Sequence, residues 1–412
     1  MKRRSLAFSA TSVLGAGALA AALAVTAATP AQAAAAWPAH VFAPYVDTGL
    51  SYSSTLSGWA AGYGTKYYTL AFVDGAGCQW SLPNQSGWQS EISALQADGG
   101  DVSISFGGYT VDTDSDDLGA TCSSAAAMAA QVESVVTTLG VTHLDFDIES
   151  NELTDSADYT LTAQALAQVR SWASSNGESL SISYTIPVLP AGLTSSGIDV
   201  LDAAAAAGFT PNVVNIMTMD YGTSGTEMGA AADQALDASA GQVAGVFGIS
   251  TSAAYAMLGN TPMIGQNDSS GEIFTLADAS TVESYASQQG IAMLSFWSEG
   301  RDNGGCSGQT SASSTCSGLT QSTGQFTQVF QSFTSGGSTG GSSPTPPSTS
   351  AGPTPTPTGG SGGTCAAAWS SSGTYTSGNE VSYDGQNWTA DQWNYDEVPG
   401  GSSGAWNSDG AC

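Results

Sequence analysis

Strand-like and helix-like runs take turns along roughly 300 residues of this chain, and that alternation leaves few folds open. The strand-like runs are HVFAPYV (40–46), YYTLAFV (67–73), DVSISFGG (101–108), THLDFDIE (142–149), SLSISYTI (179–186), VVNIMTMDYG (213–222), TPMIGQND (261–268) and IAMLSFWS (291–298). Ala-rich amphipathic stretches separate them, such as AAAMAAQVESVVTTLG (125–140), which ends on a glycine where a helix C-terminus favours one. Eight strands alternating with helices predict an α/β chain folded as a (β/α)8 TIM barrel. An open doubly wound sheet is the other option, but no Gly-rich phosphate fingerprint follows the first run. In a barrel of this kind, chemistry belongs at the C-terminal ends of the strands.

The fourth run ends on three acids at every second position, Asp145, Asp147 and Glu149. In a strand such residues share one face, about 6–7 Å apart, while Leu144, Phe146 and Ile148 face the other way into apolar cover. Crowded like charges make full ionisation costly, so at least one proton is held more tightly than in water. His143 shares the acids' face by parity; it either tunes them or, the favoured reading, is a structural neighbour hydrogen-bonded lower in the core.

Basic residues are scarce: six Lys and Arg stand against 35 acids, a formal charge of −29. Lys2, Arg3 and Arg4 precede an apolar Ala-rich run and Ala31-Gln32-Ala33, which reads as a secretory signal peptide over residues 1–33, with an uncleaved anchor as the runner-up. Losing those three bases takes the charge from −29 to −32 and leaves Lys66, Arg170 and Arg301. So acidic a surface argues against nucleic acid and anionic membranes as partners. Two histidines, His40 and His143, exclude a histidine-rich zinc site and leave almost no material for a Ser-His-Asp triad. No metal and no cofactor is expected. Six cysteines in a secreted chain imply disulfides, and proximity along the chain favours Cys78–Cys122, Cys306–Cys316 and Cys365–Cys412 among fifteen pairings.

Residues 335–364 are Gly, Ser, Thr, Pro and Ala only, a linker that cannot bury a core. It divides a catalytic domain at 34–334 from a small module at 365–412, seven of whose residues are Trp or Tyr. A unit this small needs a staple, which Cys365–Cys412 supplies.

The stretch Thr142-His143-Leu144-Asp145-Phe146-Asp147-Ile148-Glu149 resembles the Asp-x-x-Asp-x-Asp-x-Glu signature of the family 18 glycoside hydrolases, with Thr142 in place of the first acid. Ser105-Phe106-Gly107-Gly108 resembles that family's Ser-x-Gly-Gly, and Met217-Thr218-Met219-Asp220-Tyr221 its Met-x-Tyr-Asp, with Met219 where the tyrosine is expected. By strand parity Tyr221 shares a face with Met217 and Met219 and supplies the hydroxyl from two residues further on. Trp297, in SFWSEGRD, fits the tryptophan under the central sugar subsite, and Arg301 with Asp302 reads as a structural ion pair below it.

The resemblance implies a secreted monomeric chitinase that acts on insoluble chitin and chitin oligosaccharides by a substrate-assisted, retaining route. Glu149 is then the acid and later the base. Asp147 holds the acetamido N–H, Asp145 shares a proton with Asp147, Tyr221 orients the acetamido carbonyl, and Asp220 completes the catalytic set. Ser105, Gly107, Gly108, Met217, Met219, Gln266 and Trp297 are the expected substrate-binding residues, the glycines letting backbone approach the sugar. About two dozen residues between Asp268 and Ile291 leave no room for an inserted cleft wall, which predicts an open cleft and cleavage within chains. The tail resembles the small chitin- and cellulose-binding modules of carbohydrate-binding families 5 and 12, with Trp369, Trp393 and Tyr395 as its stacking row and Trp388 and Trp406 in its core.

Other readings stay open on the sequence. An endo-β-N-acetylglucosaminidase acting on N-glycans shares the acids, a non-catalytic chitin-binding lectin shares the fold, and Asp-x-Asp-x-Glu also occurs among calcium ligands. Met217 and Met219 also read as plain barrel filling.

Overall fold

The structure, a computed structural model, describes residues 37–335 and, in the tail, 365–370, 374–375, 379–390, 394–395, 398–400 and 406–412. The expected signal peptide, the linker and Trp393 lie outside the described residues, as does the side chain of Tyr395.

Eight parallel strands close into a barrel. The first is interrupted at Pro44, which has no N–H to give the ladder, so it is split into Val41–Phe42 and Tyr45–Asp47. Its two halves bond opposite neighbours: the first pairs with the eighth strand, Met293–Leu294, and the second with Tyr67–Val73. Ala43 and Tyr45 donate to the carbonyls of Leu294 and Phe296, while Thr69 donates to that of Pro44, which closes the ring at this strand. Asp101–Gly107, His143–Asp147, Ser181–Leu189, Val213–Met217 and Leu258–Thr261 complete it in order. The third strand is buried along its whole length, because side chains fill the barrel on one face and helices cover the other. Leu144, Phe146 and Ile148 are buried in the apolar layer that the helices cover.

The helix Ala125–Leu139 starts on the Ser124 side chain and ends at Gly140 with φ 67°, as its sequence predicts. Two strand boundaries differ from expectation. The seventh strand is Leu258–Thr261, not 261–268: Pro262 interrupts it, Met263 keeps a single parallel bridge to Trp297, and Gly265–Gln266 turns aside to pair antiparallel with Ile273–Phe274. The sixth stops at Met217 rather than running to 222. Asp220 takes φ 52°, and the N–H groups of Tyr221 and Thr223 are drawn to the Glu272 carboxylate instead of a neighbouring strand.

Disulfides join Cys78 to Cys122, Cys306 to Cys316 and Cys365 to Cys412. The tail holds a three-stranded antiparallel sheet, Glu380–Tyr383, Gln386–Ala390 and Trp406–Ala411. Trp406 is buried there with Val381 and Ala390, and Trp369, Tyr375 and Trp388 pack half-buried around them. Among the described residues no helix is long and apolar enough to cross a membrane.

Candidate active site

The three alternating acids of the fourth strand end in three different environments. Asp145 is deepest, with every acceptor position of its carboxylate filled. Oδ2 accepts from Tyr45 Oη at 2.8 Å and Ser105 Oγ at 2.7 Å, and Oδ1 from Ser183 Oγ at 2.5 Å and Thr185 Oγ1 at 2.8 Å. Burial, the larger effect, holds this carboxyl above its ordinary value, and those four hydroxyls oppose it. Asn215 on the sixth strand donates to both Tyr45 Oη and Thr185 Oγ1, and Thr261 on the seventh donates to Asn215 Oδ1. A polar layer drawn from six strands therefore surrounds one carboxylate. The shared proton expected between Asp145 and Asp147 has no acceptor site on Asp145, since the hydroxyls occupy them all.

Asp147 is buried too, but its Oδ1 has no hydrogen-bond partner among the described residues. Burial first, then the charges of Glu149, Asp145 and Asp112, hold its carboxyl well above the ordinary range. Glu149 lies two residues past the strand end and is half-buried. Burial raises it to about 7, with Asp220's charge adding and the Tyr109 backbone N–H pulling it down. Its own N–H donates to Asp112 Oδ2 at 2.9 Å. The site is thus a graded set: a fixed anion, an unpartnered buried acceptor, and an outer carboxyl poised to be protonated near neutrality.

Ser105 and the two glycines serve this set rather than open a path to a ligand. Ser105 is fully buried on Asp145. Gly107 and Gly108 take φ 85° and 86°; a Cβ on Gly107 would lie 2.4 Å from the Asp147 carbonyl, and one on Gly108 2.7 Å from the Phe72 ring. Phe72 stacks on Trp297 at 5.7 Å, and Trp297 lies 6.0 Å from Tyr45, so an aromatic group adjoins the acids. The Ala71–Phe72 and Trp297–Ser298 peptide bonds are cis.

Asp220 is brought to the site, its charge bearing on Glu149 and its Oδ1 held by the Ser269 N–H at 2.6 Å. Tyr221 is not. The turn at Asp220 ends the parity that was to align it, and its ring is buried in the apolar core, where the charges acting on its hydroxyl are Glu272 and Asp233. Met217 is buried and Met219 half-buried. Gln266 is buried, its backbone bonded to Ser317 and Arg301. Arg301 forms no pair with Asp302: its guanidinium donates to the carbonyls of Ser313, Ile264 and Gln266, while Asp302 accepts the N–H groups of Phe326 and Thr327 at the start of the helix Gln325–Ser335. His143 sits low, stacked 4.2 Å from Trp37 and 3.5 Å from Asp101, as its structural reading predicts.

Several residues of the site carried no signal in the sequence. Tyr45, Ser183, Thr185, Asn215 and Thr261 are ordinary strand residues until the barrel closes. Tyr109 could have been found from its place directly after Gly108, whose N–H donates to the Asp147 carbonyl; it is 67 % exposed, a large ring left in solvent.

Residues 62–262 match the glycosyl hydrolases family 18. The chain is 35 % identical to a probable bifunctional chitinase/lysozyme of Escherichia coli K12, an alignment covering 73 % of this chain and 35 % of that protein. It is 36 % identical to endochitinase 11 of Metarhizium anisopliae, covering 65 % of this chain and 53 % of that one. The chain thus spans between a third and about half of the length of these curated relatives. Its fold superposes on the catalytic domain of a hyperthermophilic chitinase from Pyrococcus furiosus with a TM-score of 0.66 at 31 % identity, covering 74 % of this chain and 99 % of that domain.

Proposed function

Because the chain belongs to the glycosyl hydrolases of family 18, we propose that it is a chitinase cleaving β-1,4 bonds between N-acetylglucosamine units by a substrate-assisted, retaining route. The observation that carries this reading is the graded set of acids. Glu149, with a carboxyl near 7, protonates the departing glycosidic oxygen and then takes a proton from the attacking water. The acetamido oxygen of the sugar attacks its own anomeric carbon, so no enzyme nucleophile is needed. Asp147 Oδ1, buried and unpartnered, accepts the acetamido N–H. Asp145, locked by four hydroxyls, keeps a fixed negative charge beneath both. Trp297 and Phe72 offer the sugar an apolar face, and Tyr109 a second at the rim.

Cleavage within chains is supported by the connection between the seventh and eighth strands, which holds only a two-residue hairpin and the helix Leu276–Gln289. The protein acts as a secreted monomer on insoluble chitin and chitin oligosaccharides, with residues 365–412 as the module that holds it to the polymer through Trp369, Trp393 and Tyr395. It has neither nucleic acid nor membrane as partner, a reading supported by its charge of −29. Deleting residues 335–412 should lower activity on crystalline chitin several-fold and spare soluble oligomers; equal loss on both would remove the module's delivery role.

The test of the reaction is incubation with chitin oligosaccharides and with a released N-glycan side by side, products being read by mass and anomeric form. Retained configuration with internal cuts in the chitin oligomers is expected. Inverted products would overturn the oxazolinium route, and cleavage of the glycan alone would make the protein an endo-β-N-acetylglucosaminidase.

A further inference from the structure

Four carboxyls gather beside the barrel in a place the reaction does not use. Asp112 lies in the helix Tyr109–Asp114, Asp117 caps the helix Leu118–Thr121, Glu152 stands in the turn Glu152–Thr154, and Asp158 is in the first turn of the helix Ser156–Ser175. None is more than 5 % exposed. Asp112, Asp117 and Glu152 each bring one oxygen to within 4.8 Å of the others'. On both aspartates one oxygen is already fixed by a backbone N–H: Asp112 Oδ2 by Glu149 at 2.9 Å and Asp117 Oδ1 by Ala120 at 2.8 Å. Their second oxygens, Asp112 Oδ1 and Asp117 Oδ2, are buried without a hydrogen-bond partner among the described residues.

Asp158, outside that trio, lies beside the Asp117 carboxyl and adds a third buried oxygen, Oδ1, that meets no N–H or O–H donor among the described residues. A small cavity adjoins the trio, with Asp117, Glu152 and Thr162 on its polar side and Val73, Phe106 and Phe146 among the residues of its apolar side. A Cβ on Gly119 would stand 1.9 Å from Asp158 Oδ1, and one on Gly107 3.0 Å from Asp112 Oδ1, so glycine at both positions leaves room for these oxygens. Among the described residues no basic side chain answers the charge: the guanidinium of Arg170 is committed to Thr210 and Asn212, that of Arg301 to three carbonyls, and Lys66 is exposed.

Uncompensated carboxylates cost several kcal/mol each away from water, so the cluster holds either protons or a cation. A donor set made only of oxygen selects a hard divalent ion. Magnesium keeps several waters and is seldom caged by protein ligands alone, so a buried set of carboxylates suits calcium. We propose that Asp112, Asp117 and Glu152, joined by Asp158, bind one calcium ion. Through Asp112 the ion ties the loops after the third and fourth strands to the peptide that carries Glu149.

The full chain, purified without chelator, is assayed for calcium by plasma mass spectrometry, then stripped with EGTA and melted with calcium or magnesium added back. About one tightly held calcium per chain is expected, with a rise in Tm on the order of 5 °C in excess calcium and less in magnesium. Glu152→Gln and Asp117→Asn should each abolish the rise. Absence of calcium from the purified protein, together with equal Tm in EGTA and calcium, would overturn the proposal in favour of a protonated acid cluster, and this holds even if the variants fail to fold. A calcium-dependent rise that persists in both variants would place the ion elsewhere and overturn it as well.

Discussion

Two residues apart on one strand, Asp145 and Asp147 have opposite surroundings, and that difference assigns their work. Four hydroxyls fix the first as an anion, while the second keeps an open oxygen for substrate. Glu149→Gln removes the outer proton donor of the set: kcat should fall by about 10²–10⁴ with oligosaccharide binding kept, as read by steady-state rates and calorimetric titration. In the wild type the acid form is lost as pH rises through the value near 7, so kcat should decline on that limb. Tyr45→Phe deletes one donor to Asp145 and one of the two acceptors that Asn215 uses. A hydrogen bond to a charged group is worth about 1.5–3 kcal/mol, so Tm should drop measurably and kcat should fall more than KM changes. The acids were legible because parity along one strand survives into the fold. Their hydroxyl partners were not, since Tyr45 stands 100 residues from Asp145 in sequence and only barrel closure joins them. Tyr221 failed for the converse reason: parity was carried past Met217, where the strand had already ended.

At the scale of elements, the order of strands and helices could be read from pattern, while strand ends could not. LGNT at 258–261 has Gly and Asn, weak strand formers, yet it lies between the sixth and eighth strands in register with both. The run after Pro262 looked more like a strand, yet it keeps only one bridge to the eighth strand before pairing elsewhere. Partner strands, unseen in sequence, decided between them. The turn after the third strand shows the same dependence on a distant neighbour, because Gly108 is required by the Phe72 ring on the second. Gly108→Ala adds a Cβ 2.7 Å from that ring at φ 86°, so the ring must shift against Trp297. We expect a loss of about 1–3 kcal/mol of stability by denaturant titration and a several-fold rise in KM for chitin oligosaccharides, with the Trp fluorescence spectrum altered.

For the whole molecule, an excess of acid over base has a consequence for stability that composition alone does not give. Outside the catalytic and cation clusters, Asp233 and Glu299 are both buried and both raised to about 8, each chiefly by burial, then by Asp237 and Glu227 for the first and Asp302 for the second. Their unfolded values are about 4. The folded chain therefore holds two protons that the unfolded chain gives up, and the stability tied to them is complete below pH ~4 and is lost as pH rises toward 8. Each group contributes up to about 1.4 kcal/mol per pH unit within that window. Thermal melts of the full chain in EGTA should show Tm falling by on the order of 5–10 °C between pH 5 and 7. Asp233→Asn and Glu299→Gln should each flatten part of that slope, since an amide keeps the neutral form at every pH. A Tm that instead climbs from pH 5 to 7 would mean that these carboxyls are ionised in the folded chain and held by groups other than those around them.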